Sequence, residues 1–262
     1  MTWENQQKNR QATTESTMKI ALIGYGRMGH AIEAIALQRG HEILLTIDQN
    51  EEAKLHSPLL AEADVAIEFT GPASAEANCR RILEMGIPLV SGSTGFMTDK
   101  LLDDFKQICN EQGRSFFYAT NFSLGVNILF ALNRQLAKIM SLHPEYEPHI
   151  HEVHHTKKLD KPSGTAVTLV SDLIANSDLY SDWTLEQPGE SPLLGNTVGV
   201  SSTREGEVFG IHEVSYTSTI DKISIRHEAF SREGFALGAV LAAEYATTHR
   251  GFLSMAQMLQ IQ

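Results

Sequence analysis

Cysteine is nearly absent from this chain: Cys79 and Cys109 are the only two in 262 residues. Both fall in amphipathic helical stretches without metal-ligand spacing, so they read as reduced, buried or idle thiols. Basic residues are also scarce. Lys and Arg number 21 against 32 Asp and Glu, a net charge of −11 at pH 7, and that balance argues against a nucleic-acid partner, which needs a basic surface. No apolar run is long enough to span a membrane, and no signal peptide appears, so the expected location is cytoplasmic. There is no internal repeat, low-complexity tract or heptad run. What remains is ordinary globular composition, 42% hydrophobic and 20% charged, in a chain long enough for two domains.

Residues 1–17 are polar and lack a hydrophobic period, which predicts a disordered leader. From Lys19 the pattern is strong. Ile20-Ala21-Leu22-Ile23 is a fully apolar strand, Gly24-Tyr25-Gly26-Arg27-Met28-Gly29 follows, and a helix runs to about Gln38 with Gly40 as its stop. A second strand, Ile43 to Ile47, ends at Asp48. This is the dinucleotide-binding fingerprint in its proper setting. The first glycine permits a tight turn, the second admits the pyrophosphate, and the third lets helix pack on strand. Asp48 stands where an acid binds the adenosine ribose hydroxyls. A carboxylate there, beside Gln49 and Asn50 rather than a cation, favours NADH, with NADPH tolerated. Arg27 is the one nearby residue that could meet a 2′-phosphate.

Strands at 64–70, 89–91 and 115–119 alternate with helices at 73–85 and 99–111, which makes a Rossmann-type, doubly wound parallel sheet. Ligands bind beyond the carboxyl ends of such strands. The loops Phe69-Thr70, Gly92-Ser93-Thr94 and Thr120-Asn121-Phe122 therefore belong around the nicotinamide half. A helix from Leu124 to Met140 leads out. The second half reads as α+β with an open mixed sheet: a strand from Glu147 to His155, a helix from Thr165 to Asn176, a polar stretch at 177–196, and strands at 198–202, 208–216 and 220–230. Arg204-Glu205-Gly206-Glu207 is expected to turn between the first two of these. Helices at 234–249 and 252–259 close the chain. The expected organisation is a dinucleotide-binding domain over 18–122, completed by 231–262, and a substrate-binding and oligomerisation domain over 123–230. An uncovered sheet face calls for another subunit.

The segment 152–165 concentrates the chemistry. It holds His154, His155, Lys157, Lys158 and Lys161, then Pro162-Ser163-Gly164-Thr165 at the start of a helix. Ser163 is the N-cap candidate, and the free amides of Gly164 and Thr165 would join the positive helix end as an anion site. In an acidic protein this cation cluster suits a small substrate carrying carboxylates, with proton donors beside it.

These motifs, with Gly92 to Phe96 and Asn121 to Asn127, resemble the dihydrodipicolinate reductase family over nearly all of the chain from Met18. The resemblance implies an NAD(P)H-dependent reduction of a cyclic imine dicarboxylate in diaminopimelate and lysine synthesis, and a homotetramer. It implies that His154 and Lys158 form the catalytic pair, either one supplying the proton. His155, Gly164 and Thr165 would contact substrate. Gly24 to Gly29, Asp48, Gly92 to Thr94, and Ala119, Thr120, Asn121 and Phe122 would contact cofactor. Many relatives have a glycine loop one residue longer and an Arg where this chain has Gln49. Another two-domain dehydrogenase would have no reason to keep the histidine pair together with Pro-Ser-Gly-Thr, and a nucleotide sensor without turnover would be expected to lose the proton donors, whereas His154 and Lys158 are both present.

Overall fold

A computed structural model describes residues 17–186 and 195–261. The expected leader, apart from Thr17, and part of the polar stretch at 177–196 lie outside the described residues. The elements are β1 Lys19–Ile23, α1 Arg27–Gln38, β2 Glu42–Ile47, β3 Val65–Glu68, α2 Pro72–Glu84, β4 Leu89–Ser91, α3 Asp99–Gln112, β5 Ser115–Tyr118, α4 Leu124–Met140, β6 Glu147–His154, α5 Gly164–Ala175, β7 Asp182–Leu185, β8 Thr197–Arg204, β9 Gly210–Thr217, β10 Lys222–Ala229, α6 Glu233–Thr248, β11 Gly251–Leu253 and α7 Met255–Leu259. Short 3-10 turns at Glu52–His56 and Pro58–Glu62 lie between β2 and β3. Among the described residues no helix is long and apolar enough to cross a membrane.

The chain forms two compact units, one running to Phe116 and taking back Ala243–Phe252, the other comprising Phe117–Ala242 and Leu253–Gln262. The expected joints fall after residues 122 and 230. The compact units divide six residues earlier and then within α6.

In the first unit, β1 lies between β2 and β3 in a six-stranded sheet of order β11-β5-β4-β3-β1-β2. β1, β2, β3 and β4 run parallel. Ile20, Ala21, Leu22 and Ile23 are all buried, as a strand covered on both faces requires. Phe116 meets Phe105 and Phe252 edge-on, with centroids 4.9 and 5.3 Å apart. Full burial of a ring such as Phe105 contributes roughly 1.5–3 kcal/mol. Glu244, on the returning part of α6, accepts two bonds from Arg39, Nε at 2.5 Å and Nη2 at 2.8 Å, with His41 Nε2 at 2.9 Å.

The end of the chain corrects one expectation. A helix over 252–259 was expected, but Gly251–Leu253 is a strand at the sheet edge and the helix starts only at Met255. Gly251 N donates to Arg114 O at 2.8 Å, and the backbone pairing outweighs the local apolar period.

In the second unit the five-stranded sheet runs β10-β9-β6-β8-β7. β7, β8 and β6 are parallel, while β9 and β10 are antiparallel to their neighbours. The sheet is mixed, as expected, but its pairing differs. The expected turn near 204–207 is present, with Val208 N donating to Glu205 O at 3.4 Å, but it does not pair β8 with β9, because β6 lies between them. β7 falls inside the stretch that shows no element from sequence. Strand alternation sends Ile150, Val198, Val200, Val214 and Tyr216 into a core with Leu129, Ala137 and Met140 of α4 and Ala166, Leu169, Val170 and Leu173 of α5. The other face shows His149, His151, Ser201 and Glu213, all half-buried.

Candidate active site

The first unit brings together the expected cofactor loops that follow β1, β3 and β4. Ile23, Glu68 and Ser91, the last residues of β1, β3 and β4, are register partners, so the loops that follow emerge side by side. Gly24 has φ +91°, and a Cβ there would collide with the Phe69 carbonyl. At Gly29 a Cβ would lie 2.5 Å from Gly24 O, whereas at Gly26 it would meet nothing within 4 Å. The open side of Gly26 also begins α1, which has no side-chain cap. An open backbone at a helix start without a side-chain cap is what the approach of a pyrophosphate needs, so these residues fit a dinucleotide. Tyr25 donates to Glu33 and its ring lies 4.1 Å from that of His30. Arg27 and Met28 open α1, with Arg27 exposed.

Asp48 is exposed just past β2. Its N–H donates to Glu51 Oε2 at 3.0 Å, and Glu51 Oε1 accepts from Lys54 Nζ at 2.6 Å. The Lys54 ammonium, with help from the Asp48 amide, lowers the Glu51 pKa. Gln49 and Asn50 put no cation next to Asp48 in the chain, and Arg27 is the nearby cation legible in the sequence. Lys54 is a second cation, returned by the 3-10 turn and held by Glu51. On the loops expected around the nicotinamide, Ser93 Oγ sits 2.8 Å from Thr70 N and 2.8 Å from Glu68 Oε1. Glu68 is fully buried and also accepts from Ser91 Oγ at 2.6 Å and from the Thr70 hydroxyl. Gly92 and Thr94 flank Ser93, with Thr94 exposed.

The second unit builds the cation cluster from its central strand. On β6, Glu152 and His154 are two apart and share one face. The register sets Ser202 beside Glu152 and Arg204 beside His154 on β8, and His212 beside Glu152 on β9. Glu152 is fully buried. Its Oε1 accepts from Ser163 N at 3.0 Å, from Arg204 Nη2 at 3.1 Å and from the Ser202 hydroxyl. Its Oε2 lies 3.2 Å from His154 Nδ1 and 3.7 Å from His212 Nε2. The 3.2 Å approach is within ion-pair reach but is not aligned as a hydrogen bond. Burial alone would push the Glu152 pKa up. The contacts with His154, Ser163 and Ser202 outweigh it and hold the carboxyl well below the usual range. His212 is pushed down to about 3, first by burial and then by the nearby His154 ring.

Ser163 caps α5, its Oγ accepting from Ala166 N at 3.2 Å, and Gly164 and Thr165 form the first turn. Lys158 Nζ is bound by both oxygens of Asp160, at 2.7 and 2.8 Å. Arg204 Nη2 donates to Asp160 O at 2.5 Å, and its Nε to Lys158 O at 3.4 Å, which fixes that loop. Lys157 is solvated, its pair with Glu207 stretched to 3.5 Å with both side chains about four-fifths exposed. His155, just past the end of β6, is half-buried, and its Nδ1 is sealed in without a bonding partner. Ala119, Thr120, Asn121 and Phe122 belong to this unit, and Asn121 Nδ2 reaches Thr165 Oγ1 at 3.5 Å. An expected cofactor loop therefore touches the expected substrate cradle.

Glu152, His154 and His212 offer donor atoms within 4.8 Å of one another, a spacing a metal could use. Arg204 on the same carboxylate opposes a dication there, and the surrounding cations suit an anion and proton transfer better. Glu152 had a sequence signal, since Glu152-Val153-His154-His155 opens the segment that carries the family resemblance. Arg204 and His212 had none, because only the register brings them in.

Residues 18–122 match the family description "Dihydrodipicolinate reductase, N-terminus" and residues 125–259 match "Dihydrodipicolinate reductase, C-terminus". The chain belongs to the dihydrodipicolinate reductase family. A 4-hydroxy-tetrahydrodipicolinate reductase of Christiangramia forsetii is 43% identical over 92% of this chain and 98% of its own length. One of Staphylococcus aureus is 33% identical, covering 87% and 94%. Among solved structures, a dipicolinate-bound dihydrodipicolinate reductase from Paenisporosarcina sp. TG-14 superposes with a TM-score of 0.72 at 17% identity, over 92% of this chain and 99% of that one. At that identity the likeness shows the fold. The dihydrodipicolinate reductases are NAD(P)H-dependent oxidoreductases of lysine and diaminopimelate synthesis, and this chain is one of them.

Proposed function

We propose that the second unit binds 4-hydroxy-tetrahydrodipicolinate through its two carboxylates and that His154 is the proton donor in its reduction to tetrahydrodipicolinate. The reading rests on one observation above others: His154 is mounted on a buried, ionised Glu152 that also holds the start of α5. Lys158, the Gly164 and Thr165 amides, the Thr165 hydroxyl and His155 take the carboxylates. Charge-assisted bonds of this kind are worth about 1.5–3 kcal/mol each. Asp160 keeps the Lys158 ammonium pointed until a substrate carboxylate displaces it. A relative that binds dipicolinate, a planar dicarboxylate, supports this substrate class.

Reduced nicotinamide dinucleotide supplies the hydride, and water is lost from the hydroxylated ring. His154 delivers a proton to the ring atom where negative charge develops, and acid catalysis of that kind contributes typically ~10²–10⁴-fold. Gly24 to Gly29, Asp48, Gly92 to Thr94 and Ala119 to Phe122 hold the cofactor, and NADH is preferred because Asp48 and Glu51 repel a 2′-phosphate. The half-buried face of the five-stranded sheet is covered by a second copy, in a cytoplasmic homotetramer.

The test is a coupled assay with freshly made substrate, following NADH and NADPH oxidation side by side. His154→Ala should lower kcat by about 10²-fold or more, and Lys158→Ala should lower kcat and raise KM together. Near-wild-type kinetics in both variants would sink the assignment.

A further inference from the structure

Glu152 touches no substrate in the chemistry above, yet it is wholly buried and its two oxygens have different surroundings. Oε1 takes three donors, Ser163 N–H, Arg204 Nη2 and the Ser202 hydroxyl. Among the described residues, Oε2 faces the rings of His154 and His212. Oε2 and His154 Nδ1 are both sealed from solvent. At 3.2 Å a bare ring nitrogen would set its lone pair against a carboxylate lone pair with no water to intervene. A proton on Nδ1 turns that repulsion into a charge-assisted contact.

We propose that Glu152 is a positioning residue that fixes the proton of His154 on Nδ1, leaves Nε2 to serve the substrate, and ties this donor to the start of α5. The inference rests on the reading of His154 as proton donor. The catalytic cycle then needs no tautomer change. The imidazolium gives its Nε2 proton to the substrate, the neutral ring keeps its proton on Nδ1, and solvent recharges Nε2. Glu152 stays ionised throughout. His212, kept neutral by its burial, does not compete for the proton. Residue 210 makes room for the ring: a Cβ on Gly210 would lie 3.1 Å from His154 Nε2.

Glu152→Gln separates this role from simple support. The three donors at Oε1 demand an oxygen there, so the amide oxygen keeps that place and the NH2 turns to the rings. An NH2 facing Nδ1 requires Nδ1 to accept, which moves the proton of the neutral ring to Nε2 and disfavours the doubly protonated acid. The start of α5 keeps its acceptor.

The experiment is solid-state NMR of full-length protein labelled with 15N-histidine, His154 being identified by subtraction of the His154→Asn spectrum, together with kinetics and calorimetry. In wild type the neutral ring should carry its proton on Nδ1, and in Glu152→Gln on Nε2. The variant should lose about 10²–10⁴-fold in kcat. Its affinity for pyridine-2,6-dicarboxylate in the presence of NADH should stay within about threefold, because the helix start is retained. An unchanged tautomer, or kcat within about threefold of wild type, overturns the proposal. Should Glu152→Gln not fold, Glu152→Asp decides: it keeps the charge, so the Nδ1–H form should persist, and an Nε2–H form there would refute the idea. A fully active His154→Asn would sink the donor reading alone and leave the tautomer result standing.

Discussion

His212 gives the second unit a measurable weakness in acid. It is almost fully buried beside Glu152, His154 and Ser163, and burial followed by repulsion from His154 pushes its pKa from 6.5 down to about 3. His227 and Lys158 add to the depression, and Glu152 opposes it. The unfolded chain binds a proton at this position near pH 6.5, and the folded chain does not until near pH 3. Stability from this group is therefore complete above pH 6.5 and falls as the pH drops from 6.5 toward 3. Each tenfold difference in proton affinity is worth 1.36 kcal/mol, so by pH 4.5 the loss is on the order of 2.5–3 kcal/mol. That window lies above the range in which Glu152 gives up its charge, since the Glu152 pKa is lowered. His151 and His227, also depressed by burial, act with the same sign, but they do so equally in a His212→Gln variant. Urea unfolding followed by the fluorescence of Trp183, which packs against the core of this unit, should give wild type an extra loss of that size between pH 8 and 4.5 relative to the variant. Parallel curves for the two proteins would refute the reasoning.

Two further expectations bear on the site. Glu51→Ala frees the Asp48 amide and the Lys54 ammonium from the carboxylate they now share, so the ratio of kcat/KM for NADPH to that for NADH should rise by about fivefold or more. A ratio that does not move would show that these groups lie away from the ribose. Gly210→Ala places a Cβ 3.1 Å from Nε2 and 3.4 Å from Cδ2 of His154. The ring must shift by a few tenths of an ångström, and kcat should drop about tenfold with NADH binding unchanged. Calorimetric NADH titration beside steady-state rates would check both halves, and an undiminished kcat would mean the ring has room to give.

Much of this arrangement was legible in the sequence because it is local. The glycine loop sits between a fully apolar strand and a helix, so its function follows from neighbours within twenty residues. Ser163 could be read as an N-cap from the proline before it and the apolar run after it, and the α4 bounds at Leu124 and Met140 follow from a Ser cap and helical period. What escaped was long-range. Arg204 looks like a turn residue, and only the pairing of β8 with β6 turns its guanidinium onto Glu152. His212 shows nothing in its own segment and reaches the site through the register of β9. β7 is four residues long in a polar context, and β11 is three. Strands so short carry no period to read, and partners distant in the chain define them. Lys54 shows no link to Asp48 in the sequence because a 3-10 turn, not a strand or helix, carries it back.

The edge strand β11 has a consequence for how the protein is made. β5 ends at Tyr118, and the segment that lies beside it begins only at Gly251. On a ribosome the nucleotide-binding lobe must wait, with one border of its sheet bare, while the whole intervening stretch is translated, on the order of ten seconds at ordinary elongation rates. For that interval Phe116 lacks Phe252, and Arg39 and His41 lack Glu244. A ribosome stalled shortly before codon 244 should therefore hold a nascent chain that proteases attack in its N-terminal half, and one released past codon 253 should not.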